Sequence, residues 1–368
     1  MDQTFPEREQ RVSTQASGVR EALNIEFPVI QGPFGGGLSS EALVAAVSNA
    51  GGLGSFGAYH LPPAEITALV QRLKRGTSRQ FSVNLWVPLA GEEPVAVMAD
   101  QLAVQASLLA PYFTELGIEP PSFSPAAPQI EFEAQVDALI DAAPPVISFV
   151  FGAPPKHVVD RAHQAGIRLI GTATTVDEAR VLEESGVDVI VASGSDAGGH
   201  RGAFLAPVEE SLVGTFSLVP QVVEAVKVPV VAAGGIATTA QLRAAHVLGA
   251  AGVQIGTAFL VSDESIASEA HKEAIIRSAG HGTVLTSVFT GRIARGLPNR
   301  VTRELAGVAP AVPYPLLGAL TAPLRKAAQE QGRADLAAFW SGQSGALARR
   351  RPAAEIFAYF AEAYTPGE

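Results

Sequence analysis

The stretch Ala192-Ser-Gly-Ser-Asp-Ala-Gly-Gly-His-Arg-Gly202 follows the largely apolar run Val187–Val191 without a break. A buried strand therefore delivers two adjacent glycines and an imidazole directly beyond its own C-terminal end. In parallel α/β proteins that end is where ligands bind and chemistry is done. A histidine changes charge near neutral pH and can move protons. Glycines let a backbone approach a flat or phosphorylated ligand.

Outward from this stretch the same rhythm repeats. Short, continuously apolar runs predict strands over Val29–Gln31, Leu53–Ala58, Phe81–Val87, Val146–Phe151, Arg168–Thr172, Val187–Ala192, Val228–Ala233 and Gly252–Phe259. Between them lie segments with helical spacing of apolar residues: Ser40–Ala50, Ala64–Lys74, Pro155–Ala165, Val176–Ser185, Leu218–Val226 and Thr239–Leu248. Several end in glycine, as at Gly51, Gly166, Gly186 and Gly249, the usual helix stop. Strands without polar alternation belong to a sheet covered by helices on its outer face. Strand–helix units repeated in series predict an α/β fold, a (β/α)8 TIM barrel, with a doubly wound open sheet as the competing arrangement.

Two regions break the rhythm. Pro88–Pro145 is long and proline-rich, with apparent helices near Val95–Tyr112 and Ile130–Ala142. The chain after Val261 reads as mainly helical. The expected organisation is a loose tail over residues 1–20 and a barrel over 21–262 with a helical insertion at 88–145. A smaller, mainly helical domain over 263–368 follows, acting on substrate or as a lid, part of it packed on the barrel.

Composition narrows the function. Of 368 residues, 47% are hydrophobic and 17% charged, enough apolar material for a large core. The net charge is −10, and the densest basic run, Arg349-Arg350-Arg351, reads as a solvated helix end; no nucleic-acid partner is expected. The absence of cysteine removes disulfides, thiolate nucleophiles, Cys-ligated zinc and iron–sulfur clusters. It fits a reducing, cytoplasmic setting. Met1–Val19 has no apolar core and does not read as a signal peptide, and no run reaches the roughly 18 apolar residues of a membrane span.

Val231-Ala-Ala-Gly-Gly-Ile236 and Gln254-Ile-Gly-Thr257 end the last two strands, where barrels of this class often hold a phosphate on backbone N–H groups. Gly234, Gly235, Gln254, Ile255, Gly256 and Thr257 are the candidates there. Asn84 is an amide in an otherwise apolar strand, and its paired donor and acceptor suit the polar edge of a flavin or another backbone. Gln31-Gly-Pro-Phe-Gly-Gly-Gly37, with Gly32, Pro33 and Phe34, suits a backbone lying against a planar ring but lacks dinucleotide-fingerprint spacing. Phe34, Trp86 and Phe151 stand near strand ends, as pocket lining or as core. Among seven histidines His200 is best placed for chemistry. His163, His246 and His271 fall in helical segments and read as surface or packing residues; His60 follows the second strand. No pair has metal-ligand spacing, so no metal is expected. Asp196 reads as a turn former that bonds backbone.

Taken together, Asp196-Ala-Gly-Gly-His-Arg-Gly202, Gln31-Gly-Pro-Phe, Gly51-Gly-Leu-Gly54, Asn84, Ala233-Gly-Gly-Ile236, Gln254-Ile-Gly-Thr257 and Phe289–Arg300 resemble the nitronate monooxygenases, formerly 2-nitropropane dioxygenases. The resemblance runs in order from about residue 25 to 300. It implies an FMN-dependent barrel that oxidises alkyl nitronates, or nitroalkanes, with O2 to a carbonyl compound and nitrite. It also implies His200 as the active-site histidine and Asn84, Ser193, Gly198, Gly199, Gly235 and Gln254–Thr257 as FMN contacts. Two positions depart from the family pattern: Ser193 stands where Gln is common, and Asp196 where Glu is common. A homodimer is compatible with this reading. The competing readings are an FMN-dependent enoyl-acyl-carrier-protein reductase or an NAD(P)H:quinone reductase of the same fold, and a non-catalytic FMN-binding barrel.

Overall fold

The computed structural model describes residues 18–89, 98–121, 131–278 and 282–364. Eight parallel strands form its centre: β1 (Val29–Gln31), β2 (Gly54–Gly57), β3 (Phe81–Trp86), β4 (Val146–Val150), β5 (Arg168–Ala173), β6 (Val189–Ser193), β8 (Val230–Ala233) and β9 (Gly252–Ile255). The sheet order is β1-β9-β8-β6-β5-β4-β3-β2. It closes through Leu53, which pairs with Ile30; Gln31 N donates to Leu53 O at 2.9 Å and Leu53 N to Val29 O at 3.0 Å. The closed ring is a TIM barrel, and all eight predicted strands are in it, although the last ends at Ile255 and its expected continuation to Phe259 turns into the helix Thr257–Leu260.

The helices that cover the ring follow ordinary end rules. Ser40 and Thr175 cap Glu41–Asn49 and Val176–Ser185 by accepting from the N–H three residues on. Pro63 opens Pro63–Gly76 at its first position, where a missing N–H costs nothing. The buried faces of these helices, such as Ile66, Leu69, Val70 and Leu73, meet the outward residues of the strands in one large core. A second set, including Ile30, Leu53, Val146, Ile170, Val189, Val191 and Val231, fills the barrel interior. Val19 and Leu23, in a helical segment over residues 18–23, are buried in that same cluster. The end of the expected tail is therefore packed against the barrel; residues 1–17 lie outside the described residues.

The helix Phe132–Ala142 packs on Pro63–Gly76 and supplies Val136, Leu139 and Ile140 to the barrel core. Ala99–Leu116 does not. Its Leu109, Tyr112, Phe113 and Leu116 join Val288, Phe289, Val301, Leu317, Leu324 and Phe339 in a separate core. Glu115 accepts from Arg300 (2.6 Å) and Arg333 (3.2 Å) across this contact, and Tyr112 Oη donates to Glu304 (2.8 Å). The smaller lobe is thus built from the insertion and the C-terminal chain together. The final helix, Ala353–Ala361, returns to the barrel: Ile356, Phe357 and Phe360 are buried in the main core beside Glu41–Asn49.

A small antiparallel sheet joins lobe to barrel. β7 (Gly199–His200) pairs with β11 (Ala294–Gly296), which pairs with β10 (Val284–Thr286). No described helix is long and apolar enough to cross a membrane.

Candidate active site

At the C-terminal end of the barrel lies a cavity of about 460 Å³. Gly32, Pro33, Phe34, Asn84, Ser193, Gly198, Gly199, His200, Gly234, Gly235, Gln254, Gly256 and Thr257 all line it. Ile255 does not, although it was expected beside them. Successive strand side chains point to opposite faces; Gln254 reaches the cavity while Ile255, 1% exposed, packs in the helix-facing core. Trp86 and Phe151 line the cavity as well. His60 is outside its wall, its ring set edge-on against Tyr59 at 5.4 Å. Among the described residues no cluster of His, Cys, Asp or Glu has metal-holding geometry.

The loop after β6 is held by cations and carbonyls. Arg201 is buried and donates to Gly194 O (2.7 Å) and Ser193 O (2.8 Å); Arg295 Nε donates to Ser195 O (2.6 Å). Burial, then repulsion from Arg295, lowers the Arg201 pKa to about 10, which leaves it cationic at neutral pH. Asp196 acts as a backbone binder: its Oδ2 accepts from Thr215 N at 2.7 Å and its carbonyl from Gln343 N at 3.0 Å. With the loop fixed, β7 sets His200 opposite Ala294. The imidazole is half-buried, edge-on to Trp86 (5.4 Å) and tilted against Trp340 (5.6 Å). Its Nε2 lies 2.9 Å from Thr290 Oγ1. Burial first, and the Arg325 charge second, push its pKa down to about 4. His200 is therefore neutral at pH 7.

Asn84 is 3% exposed. Its Nδ2 donates to Ser148 O (3.1 Å) and Ser148 Oγ (3.0 Å), so strand β4 fixes the amide and leaves Oδ1 as its remaining acceptor. On the opposite side, Gly234 (φ +108°) and Gly235 (φ +71°) turn the chain after β8 in a conformation that disfavours side chains. Over this turn lies a strap, Ser341-Gly-Gln-Ser-Gly345. Gly342 N donates to Thr257 Oγ1 (2.9 Å) and Ser344 Oγ to Gly235 O (2.8 Å). Sequence reasoning did not single out this strap; its only signal is a run of Gly and Ser in a mostly helical tail.

The remaining wall carries Tyr59, Trp86, Phe151, Tyr314 and Arg325; of these, Trp86 and Phe151 were expected as lining and the others were not. Trp86 stacks on Tyr59 at 3.6 Å. The Arg292 guanidinium lies over Tyr314 (3.8 Å) and Phe151 (4.3 Å). Phe151 itself has φ +70°, an unusual conformation for a bulky residue and one that clusters at functional sites. Arg325, from helix Leu316–Glu330, donates to Gly318 O at 3.0 Å, and its buried Nε has no partner. No described carboxylate forms an ion pair with Arg325, and burial lowers its pKa.

The chemistry of these groups fits a flavin. A volume of this size is that of a cofactor or drug-sized site. Glycines leave its floor bare: a Cβ on Gly256 would meet nothing closer than Phe34 at 4.0 Å and would project into the cavity. An amide acceptor, hydroxyls and an arginine stand around an otherwise apolar wall.

A barrel with its cavity at the strand ends, a glycine floor and a half-buried neutral histidine defines an oxidoreductase of the flavin-dependent barrel class. The family model "Nitronate monooxygenase" matches residues 17–362, and the chain belongs to that family. It is 43% identical over 338 residues to a probable nitronate monooxygenase of Staphylococcus aureus, covering 91% of this chain and 94% of that protein. Among solved structures it resembles nitroalkane oxidase from Streptomyces ansochromogenes (TM-score 0.85, 38% identity, 94% of this chain and 99% of that one). It also resembles FabK from Thermotoga maritima (TM-score 0.71, 27% identity, 94% and 95%).

Proposed function

We propose that the protein is an FMN-dependent monooxygenase that oxidises alkyl nitronates with O2 to a carbonyl compound and nitrite. The observation that carries this reading is Arg325, a half-buried guanidinium whose Nε is buried without a partner and which no described carboxylate pairs, in the same wall as neutral His200. A buried cation without a counter-charge is stabilised by an anionic ligand, and a nitronate is an anion.

The residues divide the work. Gly234, Gly235, Gln254, Gly256 and Thr257 would hold the FMN phosphate, with the Ser341–Gly345 strap closing over them. Gly32, Pro33, Phe34, Asn84, Ser193, Gly198 and Gly199 would face the ring. The flavin, when bound, supplies the electron and oxygen chemistry. Ser193 is shorter than the Gln common in the family and leaves room beside the ring. Arg325 holds the nitronate oxygens, and the Tyr59–Trp86 stack, Phe151 and Tyr314 exclude water around the alkyl group. A neutral nitroalkane must first lose its α-proton, and His200 is the base. A base held near pKa 4 is poorly matched to pH 7. Preformed nitronates are therefore the better substrates.

The test is His200→Asn. The variant is expected to retain FMN absorbance and to lose neutral-nitroalkane turnover by roughly 10²-fold, the usual scale for a general base. Unchanged turnover would remove His200 from the mechanism. Flavin that bleaches with NADH while the enzyme ignores propionate 3-nitronate would replace the monooxygenase reading with a reductase one.

A further inference from the structure

We propose that Thr290 is a positioning residue that fixes His200 as the Nε2–H tautomer, so that Nδ1 is the atom that takes the α-proton of a nitroalkane. The hydrogen bonds around one hydroxyl carry the assignment. Thr290 Oγ1 lies 3.1 Å from Arg292 O, 3.3 Å from Arg292 N and 2.9 Å from His200 Nε2. A carbonyl only accepts and an amide N–H only donates. The single hydroxyl proton therefore goes to Arg292 O, and the oxygen accepts from Arg292 N–H. What remains on Oγ1 is an acceptor position, which His200 fills by donating Nε2–H. The alternative, in which the hydroxyl donates to Nε2, strips Arg292 O of this donor. Thr290 is itself 7% exposed, so its hydroxyl has little water to turn to.

The consequence separates two substrates. A lone pair on Nδ1 repels the oxygens of a preformed nitronate and accepts a carbon-bound proton. Arg325, not His200, is then the group that meets nitronate oxygens. The proton passes from the substrate α-carbon to Nδ1, and its electron pair stays on the substrate as the nitronate. The Nε2–H bond to Thr290 strengthens as the ring becomes cationic. This deepens the proposed function and rests on His200 being the base.

The tautomer is read directly in FMN-loaded enzyme labelled with 15N-histidine, using long-range proton–nitrogen correlations at neutral pH and His200→Asn for assignment. The expected pattern is a pyridine-type Nδ1 and a pyrrole-type Nε2; the reverse pattern overturns the proposal without any variant. Thr290→Val should mix the two tautomers. It should lower kcat for a neutral nitroalkane roughly tenfold more than for the corresponding nitronate, the scale of one neutral hydrogen bond. Thr290→Ser should restore both readouts. Equal losses on both substrates, or no loss on either, refute the positioning role. If His200→Asn keeps its nitroalkane turnover, the base assignment fails, while the nitrogen shifts still decide the Thr290 assignment.

Discussion

Two glycines in the cavity wall should fail in opposite ways when given a methyl group. At Gly198 a Cβ would lie 2.5 Å from Gly342 N and 2.6 Å from Ser341 C. Both are backbone atoms of the strap, so no side chain can swing aside; strap and loop must separate. Overpacking of this kind costs about 1–3 kcal/mol. With roughly 2.1 cal/mol/K of unfolding entropy per residue over 368 residues, a cost of about 2 kcal/mol lowers Tm by only about 2–3 °C. At Gly256 the methyl meets nothing nearer than 4.0 Å and takes up cavity space. Gly198→Ala should therefore destabilise the flavin-stripped protein, measured by calorimetry. Gly256→Ala should leave stripped-protein stability within about 1 kcal/mol while lowering FMN stoichiometry and affinity. The stripped form matters because bound cofactor adds its own stabilisation. If Gly256→Ala binds FMN as tightly as the parent, the cavity floor is not where the cofactor lies. If Gly198→Ala is fully stable, the strap does not press on the β6 loop as described.

Arg325→Met should raise the KM for a nitronate by roughly 10–100-fold, the scale of a charge-assisted hydrogen bond, as measured by O2 consumption. It should change stability by no more than about 1 kcal/mol, because the variant loses one hydrogen bond, to Gly318 O, and no described carboxylate partner. The protein should also weaken in acid in a defined window. His271, 1% exposed, is stacked on Phe339 and donates Nε2–H to Trp340 O at 2.9 Å. Burial lowers its pKa to about 4, below the ordinary 6.5. The unfolded chain thus binds the proton first, so the stabilisation is complete above about pH 6.5 and is lost as pH falls through 4. This group alone contributes about 3 kcal/mol across that window. Denaturant titrations at pH 7 and pH 4.5 on the parent and on His271→Phe test it, and an equal acid loss in both would refute the assignment.

The barrel was legible because its strands are apolar on both faces and short, and glycines end many of its helices. The cavity loops were legible for a related reason: Gly-Gly pairs and an imidazole are unusual directly after a buried strand, and Asn84 is unusual within one. Within Gln254–Thr257 strand alternation turns the Ile255 side chain away from the cavity that the other three line. Arg325 carried no signal. An arginine on an amphipathic helix looks the same whether its face meets water or a cavity, and only packing of Leu317 and Leu324 in the second core decides it. Thr290 was hidden in the same way, since its role depends on an imidazole 90 residues earlier. Helical spacing likewise identified a helix near residues 95–112 but not its partner. Periodicity shows which face is apolar, and the second core that takes that face is assembled from residues nearly 200 positions away, as the Tyr112–Glu304 bond shows.

The order of the last segments couples the site to the barrel. After β9 the chain leaves the ring, builds most of the smaller lobe, crosses the cavity as the Ser341–Gly345 strap and only then supplies the outer helix Ala353–Ala361. That helix covers β1 and the helix Glu41–Asn49. Arg350 reaches back to Asp263 and Glu269 just ahead of it, and Glu264 accepts from Ala353 N at 2.8 Å, so the return is tied to the point of departure. The C-terminal part of the lobe is thus tied to the barrel where it leaves and where it returns. The strap is held between the lobe and the last barrel helix, and it touches Thr257 and Gly235 at once. A glycine-and-serine run so far in sequence from Gly234, Gly235, Gln254 and Thr257 thus lines the same cavity as they do.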